Sequence, residues 1–271
     1  MAVFKCEQFS LCMGRNMPFV VVSSNDCPPF ITENNENFER PAKNVFILHG
    51  HSGYATDWLY NANLVDLCGK YNINIILPNG ENSFYLDLPS NEHKYATYVG
   101  KELKDYVCKT FGFSQKREDN FIMGLSMGGF GAIHTGLQFN DTFSKLSGLS
   151  SALIIYNIAN MKPGTMDGIA GYDYYSMMFG DLTKVVESKN NPETLVLDIL
   201  KEKKQMPEIY LAIGTEDFLY KENQIFKKFL ETHRVPFEYH EEKGTHDWIF
   251  WNKYIEPSIR WFLDLENTYN A

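Results

Sequence analysis

The sequence lacks a long apolar run and lacks any excess of positive charge. No stretch approaches the roughly 18 consecutive apolar residues that a membrane-spanning helix needs. Acidic residues outnumber basic ones by 34 to 25, which gives a formal net charge of −9. Nucleic acids and anionic membranes are bound through basic patches, so the composition argues against both as partners. A small molecule is the expected ligand.

Cysteine is also scarce, and its pattern excludes two kinds of site. The chain has five cysteines, all in its first half, and no Cys-x-x-Cys pair of the zinc or redox kind. The first residues show neither a basic region followed by an apolar core nor a small-residue cleavage site, so no secretory signal is expected. These features predict reduced thiols and a cytoplasmic location.

From residue 45 onward, short apolar segments alternate with helical ones. Strands are predicted at 45–48, 73–77, 121–123, 146–149, 209–213 and 237–240, and helices at 56–70, 94–111, 127–139, 220–233 and 248–265. This alternation is typical of an α/β protein with a mostly parallel sheet and helices on both faces. Two β-rich segments, 4–11 and 18–23, come first, and a surface loop is predicted at 25–43. The length favours one large domain, residues 1–271.

A longer excursion at 151–207 interrupts the alternation and is predicted to form a lid-like insertion. It contains an aromatic and methionine cluster at 171–180. Such clusters commonly serve core or lid packing. The position of this one, after the strand that follows the helix at 127–139, also makes Tyr172, Tyr175 and Met178 candidates for an acyl pocket.

Residues 124–128 read Gly-Leu-Ser-Met-Gly between an apolar strand and a small-residue helix start. A sharp strand-turn-helix of this kind holds a serine in strained geometry above the sheet, and the flanking glycines permit close packing. An ordinary glycine-rich turn is the alternative, but three glycines in one helix start (Gly128, Gly129 and Gly131) call for a packing or functional reason. Ser126 is the candidate nucleophile.

A serine nucleophile needs a base that is itself oriented by a carboxylate, and both candidates follow Ser126 in the chain. His246 lies in a glycine-containing loop between the last strand and the last helix, whereas His134, His233 and His240 lie on elements where structural roles are expected. Asp217 follows the strand at 209–213 and is the preferred acid. Glu216 is the alternative, and Asp217 could instead cap the following helix.

Two backbone N–H groups are candidates for an oxyanion hole. One belongs to Met127, directly after the serine, and the other to His51, in the loop after the strand at 45–48. His49 and His51 could instead chelate zinc, but no cysteine or carboxylate ligand pattern accompanies them. No metal is therefore expected.

Together these segments resemble the putative-esterase family of α/β-hydrolases. The family includes esterase D (S-formylglutathione hydrolase), carbohydrate esterase family 1 and the antigen 85 mycolyltransferases, and the nearest likeness is to the tributyrin esterase group. The likeness rests on residues 48–53 (Leu-His-Gly-His-Ser-Gly) with Asp57-Trp58, and on residues 124–129, 214–218 and 244–248. It implies an α/β-hydrolase fold, a triad of Ser126, Asp217 and His246, and short acyl esters as substrates. Trp58 joins the substrate-binding candidates.

The predicted function is therefore hydrolysis of carboxylic esters through an acyl-enzyme, with no metal or organic cofactor. Within enzymes, the alternatives are a feruloyl or acetyl esterase acting on plant polysaccharides, an S-formylglutathione hydrolase, or an acyltransferase. A non-catalytic binding protein on the same fold is the alternative from another class. The sequence leaves open whether the protein forms a homo-oligomer.

Overall fold

The computed structural model describes residues 1–88 and 92–266. Eight strands form one sheet in the order β1-β2-β4-β3-β5-β6-β7-β8. Strands β3 to β8 run parallel to one another, whereas β2 pairs antiparallel with β4 and β1 antiparallel with β2 at one edge. The strands are β1 (Ala2–Ser10), β2 (Arg15–Ser23), β3 (Lys43–Leu48), β4 (Ile73–Pro78), β5 (Asn120–Leu125), β6 (Lys145–Leu149), β7 (Glu208–Gly214) and β8 (Phe237–Glu242). The predicted mostly parallel sheet is confirmed.

Eleven α-helical segments connect and flank the strands in the described part of the chain. They are α1 (Pro29–Thr32), α2 (Asp57–Asn61), α3 (Leu64–Tyr71), α4 (Tyr95–Thr97), α5 (Lys104–Phe111), α6 (Met127–Gln138), α7 (Ile155–Ile158), α8 (Tyr172–Phe179), α9 (Pro192–Glu202), α10 (Tyr220–Thr232) and α11 (Trp248–Phe262). A π-helical stretch, Tyr98–Leu103, joins α4 to α5, so the predicted helix at 94–111 is one continuous rod.

Two sequence predictions of local structure were wrong. The segment 56–70 is not one helix, because the chain leaves helical geometry at Ala62, whose backbone is extended, and restarts at Leu64. The segment 25–43 is not wholly irregular, since it contains α1 and a 3₁₀ turn at Glu36–Glu39.

Successive side chains of the buried strands point to opposite faces, and each face packs against its own helices. In β7, Ile209, Leu211 and Ile213 belong to the core on one face, together with side chains of α6, α9 and α10, whereas Tyr210 and Ala212 belong to the core on the other face, together with side chains of α3 and α11. Both faces of the sheet are therefore covered, as the unbroken apolar strands predict.

The excursion between β6 and β7 carries α7, α8, a 3₁₀ turn at Leu182–Glu187, and α9. Leu195, Val196 and Ile199 of α9 are buried against the sheet-covering core. The last part of the predicted insertion at 151–207 is therefore a core helix. No helix in the described ranges is long and apolar enough to span a bilayer.

Candidate active site

Ser126 occupies the turn between β5 and α6 in a strained backbone conformation, with φ 54° and ψ −120°. Such geometry persists only where the surroundings fix it. The Ser126 N–H donates to the Leu149 carbonyl of the neighbouring strand at 2.9 Å. A Cβ on Gly124 would lie 2.2 Å from the carbonyl oxygen of Gly128, so only glycine allows this close turn. The turn holds the Ser126 hydroxyl at the carboxyl edge of the sheet.

The start of α6 also lies against the end of β3. A Cβ on Gly128 would lie 2.4 Å from the carbonyl oxygen of Leu48 and 2.5 Å from that of His49. The packing reason expected for the glycines of this helix start is therefore present. It brings the loop after β3 next to Ser126.

His246 lies in the loop between β8 and α11, within hydrogen-bond distance of both partners predicted for it. Its Nε2 is 3.0 Å from Ser126 Oγ, and its Nδ1 is 2.9 Å from Asp217 Oδ2. The ring lies between Phe218 and Trp251, with ring centroids 4.5 and 5.0 Å away. The imidazole side chain is 17% exposed, so it is packed in place yet open to a ligand from one side.

The side chain of Asp217 is fully buried, and both of its oxygens are hydrogen bonded. Oδ2 faces His246, and Oδ1 accepts the N–H of Leu219 at 2.8 Å. Asp217 does not cap α10, because the N-cap position is Leu219 and no side chain caps it. The Oδ1 bond instead holds the turn before the helix, while Oδ2 contacts the base. Glu216 is the neighbouring alternative, and its half-exposed carboxylate is 3.8 Å from Lys243 Nζ. The structure brings Asp217, and not Glu216, to the histidine.

The two backbone N–H groups expected to form an oxyanion hole lie in segments next to Ser126. Among the described residues, neither the His51 N–H nor the Met127 N–H has a hydrogen-bond acceptor. A Cβ on Gly50 would lie 3.5 Å from the Cβ of Ser126, so the loop that carries His51 touches the serine. Free donors beside a nucleophile can bind an anionic oxygen.

His49 uses both of its ring nitrogens within the protein. Nε2 accepts the N–H of Gly80 at 2.8 Å, and Nδ1 lies 2.8 Å from the Gly50 carbonyl oxygen. A backbone N–H only donates and a carbonyl only accepts, so the ring is neutral with its proton on Nδ1. Burial accordingly lowers the pKa of His49. The His49 ring thus links the backbone of Gly80 to the backbone of Gly50.

The other three histidines that follow Ser126 in the chain make no hydrogen bond to Ser126 or Asp217 in the described part of the structure. His134 is buried in α6 with its Nε2 3.0 Å from the Lys189 carbonyl oxygen, and burial lowers its pKa to about 4. His233 ends α10 and is exposed. His240 stacks on Tyr210, with ring centroids 4.7 Å apart.

A cavity of about 510 Å³ lies beside the site, between α8 and the loop that follows β4. Its wall includes Met178 and the aromatic ring of Tyr174. Tyr174 packs edge-on against His51 with centroids 5.7 Å apart, and its hydroxyl donates to the Asn82 carbonyl at 2.7 Å. Tyr174 therefore separates the cavity from the His51 loop. The sequence analysis missed Tyr174, although it sits in the aromatic cluster at 171–180.

The remaining pocket candidates are placed differently from one another. Tyr172 is half-buried at the start of α8. Tyr175 is buried, and its hydroxyl donates to Asp167 at 2.8 Å. Trp58 is only 1% exposed and donates its indole N–H to the Leu48 carbonyl at 3.0 Å. Its place in the core beneath the site corrects its assignment to a substrate pocket, because no face of the ring is open to a ligand.

The chain is similar in sequence to known proteins of one family. Residues 33–262 match the model of a family described as "Putative esterase". The chain is 38% identical over 261 residues to an acetyl esterase of Caldicellulosiruptor saccharolyticus, covering 96% of this chain and 98% of the relative.

Two solved structures from Staphylococcus aureus are also similar. One is FphF, a fluorophosphonate-binding serine hydrolase in a substrate-bound form, with a TM-score of 0.82 and 28% identity. The other is the S-formylglutathione hydrolase FrmB, with a TM-score of 0.80 and 29% identity. Each comparison covers 97% of this chain and 98% of the other.

Proposed function

Because the chain belongs to the putative-esterase family of α/β-hydrolases and is an esterase of the serine hydrolase type, we propose that Ser126, His246 and Asp217 are its catalytic triad. The observation that carries the proposal is that the two ring nitrogens of one imidazole each lie at hydrogen-bond distance from a partner. His246 is 3.0 Å from the serine hydroxyl and 2.9 Å from a fully buried carboxylate. That arrangement supplies a nucleophile, a general base and a group that orients the base.

In the first half of the reaction, Ser126 Oγ attacks the ester carbonyl carbon while His246 Nε2 takes the hydroxyl proton. Asp217 accepts the Nδ1–H of the ring, fixes the tautomer that leaves Nε2 free, and stabilises the imidazolium that forms. The tetrahedral intermediate collapses when His246 gives the proton to the leaving alcohol oxygen. The product is an acyl group esterified to Ser126.

In the second half, a water molecule takes the place of the alcohol. His246 accepts a proton from the water as its oxygen attacks the acyl carbon, and then returns that proton to Ser126 Oγ as the acid leaves. In both tetrahedral intermediates the oxyanion is bound by the N–H groups of His51 and Met127, whose lack of a partner in the described chain supports this role.

We propose short acyl esters as substrates, on the strength of the acetyl esterase that is 38% identical over nearly the whole chain. Met178 is placed in the cavity wall, and Tyr172 is half-buried on the same helix, so both are proposed to shape the substrate site. The part of the β6–β7 excursion around α8 would then act as a lid within a single domain, residues 1–271.

A cytoplasmic location is proposed on the state of the thiols. All five cysteines are free in the structure. Burial raises the pKa of Cys12 to about 12, so this thiol stays protonated and unreactive. Unpaired cysteines are typical of a reducing compartment.

The test is hydrolysis of p-nitrophenyl acetate, butyrate and octanoate by the wild type and by Ser126→Ala, with intact-mass detection of the acylated serine. We expect the rate to fall with chain length in the wild type and by several orders of magnitude in the variant. His246→Gln should lose activity similarly, whereas His233→Gln, at an exposed helix end, should not. A fully active Ser126→Ala variant, or a wild type inactive on every ester, would overturn the proposal.

A further inference from the structure

Tyr85, in the loop between β4 and α4, holds the backbone of His49 at two points. The ring is fully buried. Its hydroxyl accepts the N–H of His49 at 3.0 Å and donates to the carbonyl oxygen of the same residue at 3.3 Å. Burial raises the pKa of this hydroxyl well above its usual value, so the O–H keeps the proton that it donates.

The ring itself is fixed between two glycines. A Cβ on Gly80 would lie 2.2 Å from a ring carbon of Tyr85, and a Cβ on Gly131 would lie 2.4 Å from another. Gly131 belongs to α6, the helix that begins directly after Ser126. Tyr85 therefore contacts the helix of the nucleophile with its ring and the loop of the second oxyanion donor with its hydroxyl.

The main chain that presents Tyr85 is held in an unusual conformation. Phe84 and Tyr85 have φ values of 52° and 53°, in the left-handed region that bulky residues rarely adopt. The N–H of Tyr85 donates to Ser83 Oγ at 3.0 Å, and that hydroxyl donates to the Gly80 carbonyl at 2.6 Å. Strain of this kind is retained where the surroundings over-determine it, often at functional sites.

The His49 side chain forms a second link between the same two loops. Gly80 N–H donates to its Nε2, and its Nδ1–H donates to the Gly50 carbonyl, each over 2.8 Å. Hydrogen bonds thus hold the N–H and the C=O of His49 and the carbonyl of Gly50, the two residues that precede His51. Six hydrogen bonds, counting the two through Tyr85 and the two through Ser83, hold this short segment and the Tyr85 loop in place.

We propose that Tyr85 is a positioning residue for the oxyanion hole, an inference that rests on the proposed function of the His51 N–H. An oxyanion donor acts only if it already points at the position that the charged oxygen will occupy. Without the hydroxyl, the N–H and C=O of His49 would be buried without partners, and the segment would move to satisfy them. His51, two residues further on, would move with it.

The experiment compares Tyr85→Phe with Tyr210→Phe in the full-length protein. Tyr210 is equally buried, but its hydroxyl has no hydrogen-bond partner among the described residues, so its removal controls for the loss of a buried oxygen. Both variants keep their rings. Steady-state hydrolysis of p-nitrophenyl acetate gives kcat and KM, and titration with phenylboronic acid gives the Kd of a tetrahedral adduct on Ser126.

For Tyr85→Phe we expect kcat to fall by about tenfold to a hundredfold, less than the loss of an oxyanion donor itself, while KM changes little. The boronic acid Kd should rise by the same factor as kcat/KM falls, because both report binding of the tetrahedral state. Tyr210→Phe should match the wild type in all three. Ser83→Ala, which removes the acceptor of the Tyr85 N–H, should change kcat in the same direction by a smaller factor.

An unchanged kcat in Tyr85→Phe, or a loss confined to KM with an unchanged boronic acid Kd, would overturn the assignment. Ser126→Ala is assayed in the same series. If it is inactive while Tyr85→Phe matches the wild type, the positioning role fails and the triad stands. If Ser126→Ala is as active as the wild type, the proposed function itself fails.

Discussion

Gly214 and Gly244 lie backbone against backbone: a Cβ on Gly214 would be 2.2 Å from the carbonyl oxygen of Gly244. The first precedes Asp217 by three residues, and the second precedes His246 by two. The N–H of Glu216 also donates to the Gly244 carbonyl at 2.9 Å. The acid loop and the base loop are thus joined by direct main-chain contact, and the distance between the two side chains depends on it.

Substituting Gly214 with alanine should therefore separate acid from base. The new Cβ meets backbone atoms, which cannot rotate away, so one of the two loops must shift. A displacement of about 1 Å in a catalytic group can cost on the order of a hundredfold in rate, and we expect a loss of kcat of about that size. The measurement is ester hydrolysis by Gly214→Ala. In Gly171→Ala the added Cβ would have only ordinary contacts, at 3.5 Å or more, so wild-type rates are expected.

Asp217→Asn should abolish most of the activity without unfolding the protein. The retained carbonyl oxygen can still accept the N–H of Leu219, but an amide can no longer stabilise an imidazolium, and a loss of about 10⁴ in kcat is expected. Glu216→Gln is the matched control, because its carboxylate faces Lys243 and solvent. Equal losses in the two variants would contradict the assignment of the acid. Thermal unfolding of both variants checks that the fold is intact.

Tyr174→Ala should change the preference among esters. Removing the ring opens the route between the His51 loop and the cavity of about 510 Å³ behind it. The ratio of kcat/KM for p-nitrophenyl octanoate to that for acetate should rise by about tenfold, since the longer chain gains apolar contacts. Tyr174→Phe removes only the bond to Asn82 and should leave the ratio near that of the wild type. A ratio unchanged in both variants would remove Tyr174 from the pocket.

His134 should make the protein less stable at mildly acidic pH. Burial lowers its pKa from 6.5 to about 4 in the folded state, so the unfolded chain binds a proton first as the pH falls through 6.5. The stability contributed by the neutral ring is present above pH 6.5 and is lost below it, by about 2 kcal/mol between pH 7 and pH 5. Urea unfolding at both pH values measures this.

The control for that measurement is His134→Gln, whose amide can still donate to the Lys189 carbonyl that His134 Nε2 contacts. The glutamine does not titrate, so the free energy of unfolding of the variant protein should change less between the two pH values than that of the wild type. A wild type and a variant with parallel pH dependence would show that other groups cause the loss.

The architecture and the positions of the three triad candidates were predictable because each candidate lies in the loop that follows a predicted strand. Ser126, Asp217 and His246 come after β5, β7 and β8, and parallel strands that end together bring such residues to one edge. The glycines around them supplied a further signal, since each allows a close approach that the structure contains.

Other features of the site could not be predicted from the sequence. Trp58 shares its position with a family motif, but a motif does not tell whether a large ring faces a pocket or a core. The left-handed conformation of Phe84 and Tyr85 involves residue types that rarely adopt it, so the clamp on His49 could not be predicted. The start of α9 had a recognisable signal, Asn191 followed by Pro192, which the aromatic cluster upstream obscured.

The side chains proposed for the chemistry and those proposed for the pocket wall come from different connections of the sheet. Ser126 follows β5, Asp217 follows β7 and His246 follows β8, whereas Tyr174 and Met178 come from the connection between β6 and β7. Substitutions at the cavity-lining positions of α8 should therefore change selectivity without altering the groups that carry the reaction. The helix as a whole is not free to be exchanged, because its Phe179 packs on Phe130 of α6 with ring centroids 5.7 Å apart.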